Sequence, residues 1–149
     1  MKRFISLIRN TLKDKKGNSE ITGALIILPL IISISLNPII MFLDLQRYQR
    51  LEEIGKTYII RMETEGGLTT EAYSQLLQSI SNAGFDLGNT QIDYTPSPVD
   101  FGNEVKLKIT TQMTFKRISI IKAGGLTNET KAVVVGPYYS VSKKNFEKQ

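Results

Sequence analysis

The chain has 149 residues, with no Cys, no His and no Trp, and a formal net charge of +5. Its length suits one small domain together with an anchor. The composition excludes disulfides, thiolate or imidazole metal sites, and catalysis by a Cys or His nucleophile or a histidine proton shuttle. No glycine-rich phosphate loop and no GxSxG element is present, so we expect a protein that is not an enzyme and that has no cofactor and no metal site.

The net positive charge belongs to the first residues of the chain. Residues 1–17 contain one acid, Asp14, and six cations: Lys2, Arg3, Arg9, Lys13, Lys15 and Lys16. From Asn18 onward thirteen basic residues face thirteen acidic ones. A nucleic-acid-binding domain carries its basic patch on the folded part of the chain, so we expect no nucleic-acid partner.

An uncharged apolar segment follows this basic start. Residues 21–43 contain no charged side chain, and as a helix they span about 34 Å, against a hydrocarbon core of about 30 Å. The sequence therefore predicts a transmembrane helix over residues 18–43. Because the cations precede it, residues 1–17 form a cytoplasmic leader, residues 44–142 an extracytoplasmic domain and residues 143–149 a basic tail.

Three kinds of segment share this pattern: a cleaved signal peptide, an uncut membrane anchor and a processed anchor. A signal peptidase site could lie at Ser33-Ile34-Ser35, which would start the mature chain at Leu36. Apolar residues continue past that site to Leu43, which favours an anchor. The lack of Cys excludes lipoprotein anchoring.

The helical period continues beyond the apolar segment. Apolar residues recur at steps of three and four and predict a buried stripe of Leu45, Tyr48, Leu51, Ile54 or Gly55, Tyr58 and Met62. Gly66-Gly67 end this helix. Thr69 or Thr70 caps a second helix, whose apolar face is Tyr73, Leu76, Leu77 and Ile80. Gly84 closes the second helix, and Phe85 folds back on it.

The period then changes to alternation, which is typical of strands. Residues 105–115 alternate apolar with polar side chains, residues 91–94 form a shorter strand, and Asp100 to Asn103 make the turn between the two. A further strand is predicted from Lys131 to Val135, ended by Gly136-Pro137. Two helices followed by an antiparallel sheet predict an α+β domain.

The junction of leader and apolar helix resembles a known processing signal. Lys15-Lys16-Gly17, followed by Glu20 and an apolar helix with an early proline, Pro29, is similar to the prepilin-peptidase signal of type IV pilin-like proteins, with the TadE-like pseudopilins nearest. In that family the glutamate stands fifth after the glycine. Here Thr22 holds that place and Glu20 is third.

The segment outside the membrane also resembles small Gram-positive proteins of unknown role that are related to the TadE-like pseudopilins. The matching features are Arg61, Glu63 and Gly66 at the helix end, Gly84-Phe85 after the second helix, and the pair Tyr138-Tyr139. The tyrosine pair could line a subunit interface or pack in the core.

The resemblance implies a long helix that lies half in the membrane and half on a sheet. It also implies cleavage between Gly17 and Asn18 by a prepilin peptidase, and an assembly role for Glu20, which would neutralise the new α-amino group of an adjacent subunit. The partners implied are the membrane, the peptidase and other pilin-like subunits in a homo- or hetero-oligomer. An unprocessed bitopic protein of the cell envelope or of a conjugation apparatus remains the alternative.

Overall fold

The computed structural model describes residues 19–119 and 125–145, and of residues 19–22 only the helical backbone. The elements in chain order are helix α1 (Ser19–Glu65), helix α2 (Thr70–Asn82), a 3-10 turn (Leu87–Asn89), and strands β1 (Gln91–Tyr94), β2 (Glu104–Ser119) and β3 (Gly125–Val141). The strands form one sheet in the order β1-β2-β3, and β1 is antiparallel to β2. The predicted α+β class, with a long first helix, a second helix and a small antiparallel sheet, is confirmed.

The chain divides into two compact units. The first contains α1 as far as Met41 together with Lys116–Thr127. The second contains Phe42–Phe115 and the chain from Asn128 onward. The continuous elements α1, β2 and β3 each contribute residues to both units.

The hydrophobic core of the second unit lies between the helices and the sheet. The side chains of β2 alternate between buried and more exposed positions from Val105 to Met113, as the period-two pattern predicts. Helix α2 adds Leu76 and Ile80, both without exposed surface. The ring centroids of Tyr73 and Tyr94 are 5.2 Å apart and join α2 to β1. The remaining buried apolar residues are Leu51, Tyr58, Ile59, Met62, Leu68, Ala72, Phe85, Leu107, Ile109 and Val135.

Local signals set the helix ends where the sequence predicts them. Gly66 and Gly67 have φ of 71° and 100°, and the N–H of Gly67 donates to the carbonyl of Met62 at 2.8 Å, which ends α1. Thr69, and not Thr70, is the N-cap of α2, because its hydroxyl accepts the N–H of Ala72 at 3.2 Å. Gly84 follows α2 with φ of 85°.

The predicted stripe of α1 is wrong at its first position. Leu45 is half exposed, whereas Asp44 is buried. Asp44 lies seven residues before the buried Leu51, which is close to two full turns, whereas Leu45 lies six residues before it and faces another side of the helix. The hydrophobic pattern predicted that Leu45 is buried because it is apolar. The helix instead turns the neighbouring Asp44 toward the buried side.

The predicted end of the last strand is also wrong. Strand β3 passes through Gly136-Pro137 and ends at Val141. Since β3 lies at the edge of the sheet, one side of it needs no N–H donor and can accept a proline. Gly136 has φ of 86°, and a Cβ at that position would lie 2.8 Å from the carbonyl oxygen of Leu107. The Gly-Pro pair therefore bends the strand without ending it.

Candidate membrane anchor

The predicted processing site lies outside the described residues. Gly17 and Asn18 precede the described part of the chain, and so does the whole predicted leader. Glu20 lies in the first turn of α1, but its side chain is outside the described atoms. Cleavage after Gly17 and the assembly role of Glu20 stay predictions.

The first half of α1 is apolar and is largely exposed among the described residues. Within them, Gly23–Glu65 is the one helix with an apolar window long enough to cross a membrane, with a mean hydropathy of 2.4 and 6% of that window buried. Ile26, Ile31 and Ile34 expose 64%, 56% and 62% of their surface. A core helix of a soluble protein would have most of these side chains buried, so this segment is a candidate membrane span.

The two prolines do not end the helix. The helix runs through Pro29 and Pro38, each of which removes one backbone hydrogen bond. The hydroxyl of Ser33 donates to the carbonyl of Pro29 at 2.8 Å, and Ser33 is 1% exposed. Serine thus satisfies its own hydroxyl inside the helix, as a polar side chain in an apolar environment requires.

Asn37 carries the main polar contact of the first unit. Its side-chain nitrogen donates to the carbonyl of Ile118 at 3.1 Å, and its side-chain oxygen accepts the N–H of Ile118 at 2.8 Å. The two residues are 81 positions apart. An amide in the middle of an uncharged apolar run was the signal for a specific partner.

A group of polar side chains surrounds the end of α1 in the second unit. Arg61 pairs with Glu65, the carboxylate of Glu65 accepts the hydroxyl of Thr69 at 3.1 Å, and Arg61 also donates to the side chain of Gln75. The pKa of Arg61 is raised, first by the hydrogen bond to Glu65. These contacts join α1 to the start of α2.

Glu63 joins the same helix end to the last strand. Its carboxylate pairs with the ammonium of Lys143 and accepts the hydroxyl of Ser140 at 2.8 Å. Both hydrogen bonds lower the pKa of Glu63, the one from Lys143 more than the one from Ser140. The backbone N–H of Lys143 donates to the carbonyl of Glu63 at 2.7 Å, which satisfies one of the last carbonyls of the helix.

The tyrosine pair divides between two environments. Tyr138 packs against the core beside Gly55, as one predicted alternative held, and burial raises the pKa of its hydroxyl. Tyr139 exposes 59% of its surface and is free to meet another surface. The predicted pair is therefore one core residue and one surface residue.

In the described part of the chain, no group of three or more His, Cys, Asp and Glu residues could hold a metal ion. An open groove between α1 and α2 is lined by Arg50, Tyr58, Arg61 and Ser79, among others. Three of its polar side chains have partners, since Tyr58 and Ser79 share a hydrogen bond of 3.3 Å and Arg61 pairs with Glu65.

Comparison with known proteins returned no family model, no curated protein and no solved structure that matches this chain. Any function proposed for this chain therefore depends on its own residues and on the resemblance at residues 15–29.

Proposed function

We propose that this protein is a pilin-like, membrane-anchored subunit, a minor pilin or pseudopilin of a pilus or secretion machine. The observation that carries the proposal is the continuity of α1. One helix of 47 residues begins with an exposed apolar half and ends inside the packed core of an α+β domain. Such a helix can hold a folded domain at a membrane and can also pack against the helices of neighbouring subunits.

The orientation follows from the charges at the start of the chain. Residues 1–17 stay in the cytoplasm, α1 spans the cell membrane once, and the domain from residue 44 onward lies outside the cytoplasm. After assembly the same domain lies on a surface pilus or within the secretion machine. The protein acts through these contacts and not as an enzyme.

The assembly step uses the junction of leader and helix. A prepilin peptidase cuts between Gly17 and Asn18 and leaves a new α-amino group at the membrane surface. Glu20 of an adjacent subunit neutralises that group, which fixes the register of two packed helices as well as attracting them. The partners are pilin-like subunits, either copies of this chain or related ones.

The deciding experiment identifies the N-terminal residue of the mature protein. The protein is taken from its native membrane and measured by mass spectrometry. A chain that starts at Asn18 supports the proposal. Retention of residues 1–17 replaces it with the unprocessed bitopic envelope or conjugation-apparatus protein, and a start at Leu36 replaces it with an ordinary secreted protein.

A matched pair of variants tests whether a prepilin peptidase makes the cut after Gly17. Gly17→Leu should leave the chain heavier by the mass of residues 1–17, since the peptidase needs a small residue before the cut. Gly23→Leu makes the same change within α1, at a position where a Cβ meets no atom within 4 Å. It should be cut like the wild type.

A further inference from the structure

The end of the β2–β3 hairpin contacts α1 inside the apolar run. We call residues 116–119 and 125–127 the hairpin tip. Its contact with α1 is the pair of hydrogen bonds between the Asn37 amide and the backbone of Ile118. All of these residues belong to the first compact unit.

The Asn37 amide makes the two hydrogen bonds to Ile118 that a neighbouring strand would otherwise make. Strand β1 pairs with β2 from Leu107 to Thr110, so near Ile118 one edge of β2 has no strand beside it among residues 19–119 and 125–145. One amide supplies both a donor and an acceptor to that edge. In an apolar environment an unpaired amide and an unpaired peptide group are both unfavourable, and the two hydrogen bonds satisfy both groups at once.

The position of Asn37 along the helix sets the depth of the contact. A hydrocarbon core of about 30 Å takes about 20 helical residues, which counted from Ile21 end near Ile40. Asn37 is three residues before that point, about 5 Å along the axis. An anchored α1 therefore brings the hairpin tip to the outer face of the bilayer.

The side chains of the hairpin tip suit that depth. Leu126 exposes 64% of its surface, and Lys116 is exposed. Arg117 follows Lys116 and donates to its carbonyl at 2.6 Å. An apolar side chain beside two cations is the composition of segments that lie in the headgroup region of a membrane with anionic lipids.

We propose that the hairpin tip is a second membrane contact, which lies among the lipid headgroups of the outer leaflet and is held there by Asn37. Leu126 reaches the start of the acyl chains, and Lys116 binds lipid phosphate. The inference rests on the membrane anchoring proposed above, but it does not depend on processing or assembly.

The chain offers a direct test, because it contains no tryptophan and a single introduced one is the only reporter of its kind. Full-length protein is reconstituted into phosphatidylcholine vesicles whose lipids carry bromine either near the headgroup or near the middle of the acyl chain. Leu126→Trp should lose most of its fluorescence to the shallow bromine. Ile31→Trp, at an exposed position of α1, should lose its fluorescence to the deep bromine.

Val141→Trp is the matched control for Leu126→Trp. Both positions are exposed apolar residues of β3, at opposite ends of the strand. We expect no quenching at position 141. Equal shallow quenching at 141 and 126 would mean that tryptophan itself seeks the bilayer, and this would overturn the inference.

A second pair of variants tests the role of Asn37. In the Leu126→Trp background, Asn37→Leu should abolish the shallow quenching at position 126, because the amide that holds the tip is gone. Ser35→Leu makes the same polar-to-apolar change on an exposed face of α1 and should preserve it. Unchanged quenching in Asn37→Leu would show that Asn37 does not hold the tip.

Lipid charge tests the phosphate contact. Phosphatidylglycerol added to the vesicles should increase the shallow quenching at position 126, and Lys116→Gln should remove that increase. Insensitivity to the anionic lipid would overturn the contact with phosphate.

The outcomes separate this inference from the anchoring on which it rests. Deep quenching at position 31 without shallow quenching at 126 overturns the membrane contact and leaves the anchor intact. The tryptophan at position 126 could instead be shielded from water by a second copy of the chain. In that case the shielding would disappear when the protein is diluted in lipid. Lack of quenching at position 31 overturns the anchor itself.

Discussion

Gly55 and Tyr138 are in contact across the core of the second compact unit. A Cβ at Gly55 would lie 2.7 Å from Cε2 of the Tyr138 ring and 3.1 Å from Cγ1 of Val135. The glycine therefore lets β3 approach α1 more closely than any larger residue allows. This contact explains why a glycine stands in the middle of a long helix, where it costs about 1 kcal/mol relative to alanine.

Gly55→Leu should destabilise the domain by about 2 kcal/mol, since overpacking a filled core costs about 1–3 kcal/mol and the gain in helix propensity offsets part of it. Denaturant unfolding of the full-length protein in detergent measures the change. Gly23→Leu, at a helical glycine with open space, is the control and should not destabilise. In a Tyr138→Ala background the cost of Gly55→Leu should shrink, and an additive result would contradict the contact.

Gly136→Ala and Gly102→Ala separate backbone strain from close approach. Both glycines have φ of 86°, but a Cβ at Gly136 meets the Leu107 carbonyl at 2.8 Å, whereas a Cβ at Gly102 meets no atom within 4 Å. The left-handed backbone costs an L-residue about 1–2 kcal/mol, and the clash adds to this at Gly136. We expect Gly136→Ala to lower the free energy of unfolding more than Gly102→Ala does. Equal losses would show that β3 can move away from β2 at no cost.

Acid should weaken the attachment of the last strand to α1. Lys143 and Ser140 hold the pKa of Glu63 below its ordinary value of 4.5. Because the pKa is lower in the folded chain, these bonds stabilise it above about pH 4.5, and the contribution is lost as the pH falls through the folded value. Glu63→Gln should flatten the dependence of stability on pH in this range, and Lys143→Gln should act in the same direction.

The control for that measurement is Glu104→Gln, which makes the same change at an exposed carboxylate. It should lose stability at low pH to the same extent as the wild type. The backbone hydrogen bond from Lys143 to Glu63 involves neither side chain, so it should persist in all of these variants and the fold should be kept. A Glu63→Gln profile that overlies the wild type would contradict a stabilising role for the pair.

Topology is tested by labelling. The chain has no Cys, so a single one reports its own position. Lys148→Cys should react with an impermeant thiol reagent in intact cells, and Lys2→Cys should react only after the cells are opened, because the cations before the span stay in the cytoplasm. Reversed labelling would contradict the orientation in both the pilin-like and the bitopic interpretation.

Glu20→Gln tests the assembly step apart from folding. Glutamine keeps the size and polarity of the side chain but cannot neutralise an α-amino group. Loss of such a pair costs about 3–5 kcal/mol in an apolar site and about 1 kcal/mol or less among hydrated headgroups. We expect an unchanged amount in the membrane and reduced recovery in crosslinked surface assemblies.

The position of the carboxylate on α1 can be tested with a double variant. Thr22 stands where the resembling family has its glutamate, so Glu20→Gln combined with Thr22→Glu moves the carboxylate by two residues, toward the other side of the helix. If assembly depends on the position of Glu20, the double variant should stay defective. Normal assembly of Glu20→Gln alone would mean that Glu20 only faces the headgroups.

The sequence by itself determined the features that depend on neighbours along the chain. The end of α1 at Gly66-Gly67 and the strand of residues 91–94 are where the sequence predicts them, and the cap at Thr69 is one of the two threonines that it offers. Turn residues, caps and hydrophobic periods act over a few residues, since a backbone hydrogen bond in a helix closes over four positions. The length and exposure of the apolar helix follow from composition in the same way.

Only the tertiary structure decided which distant groups meet. Asn37 is hydrogen-bonded to Ile118 across a sequence separation of 81 residues, and Glu63 to Ser140 across a separation of 77. Strand β3 continues through Pro137 because it lies at the sheet edge, which local sequence does not encode. A polar side chain reveals that it needs a partner, but the partner's identity depends on how the whole chain packs, because atoms far apart in sequence come into hydrogen-bond range only after folding.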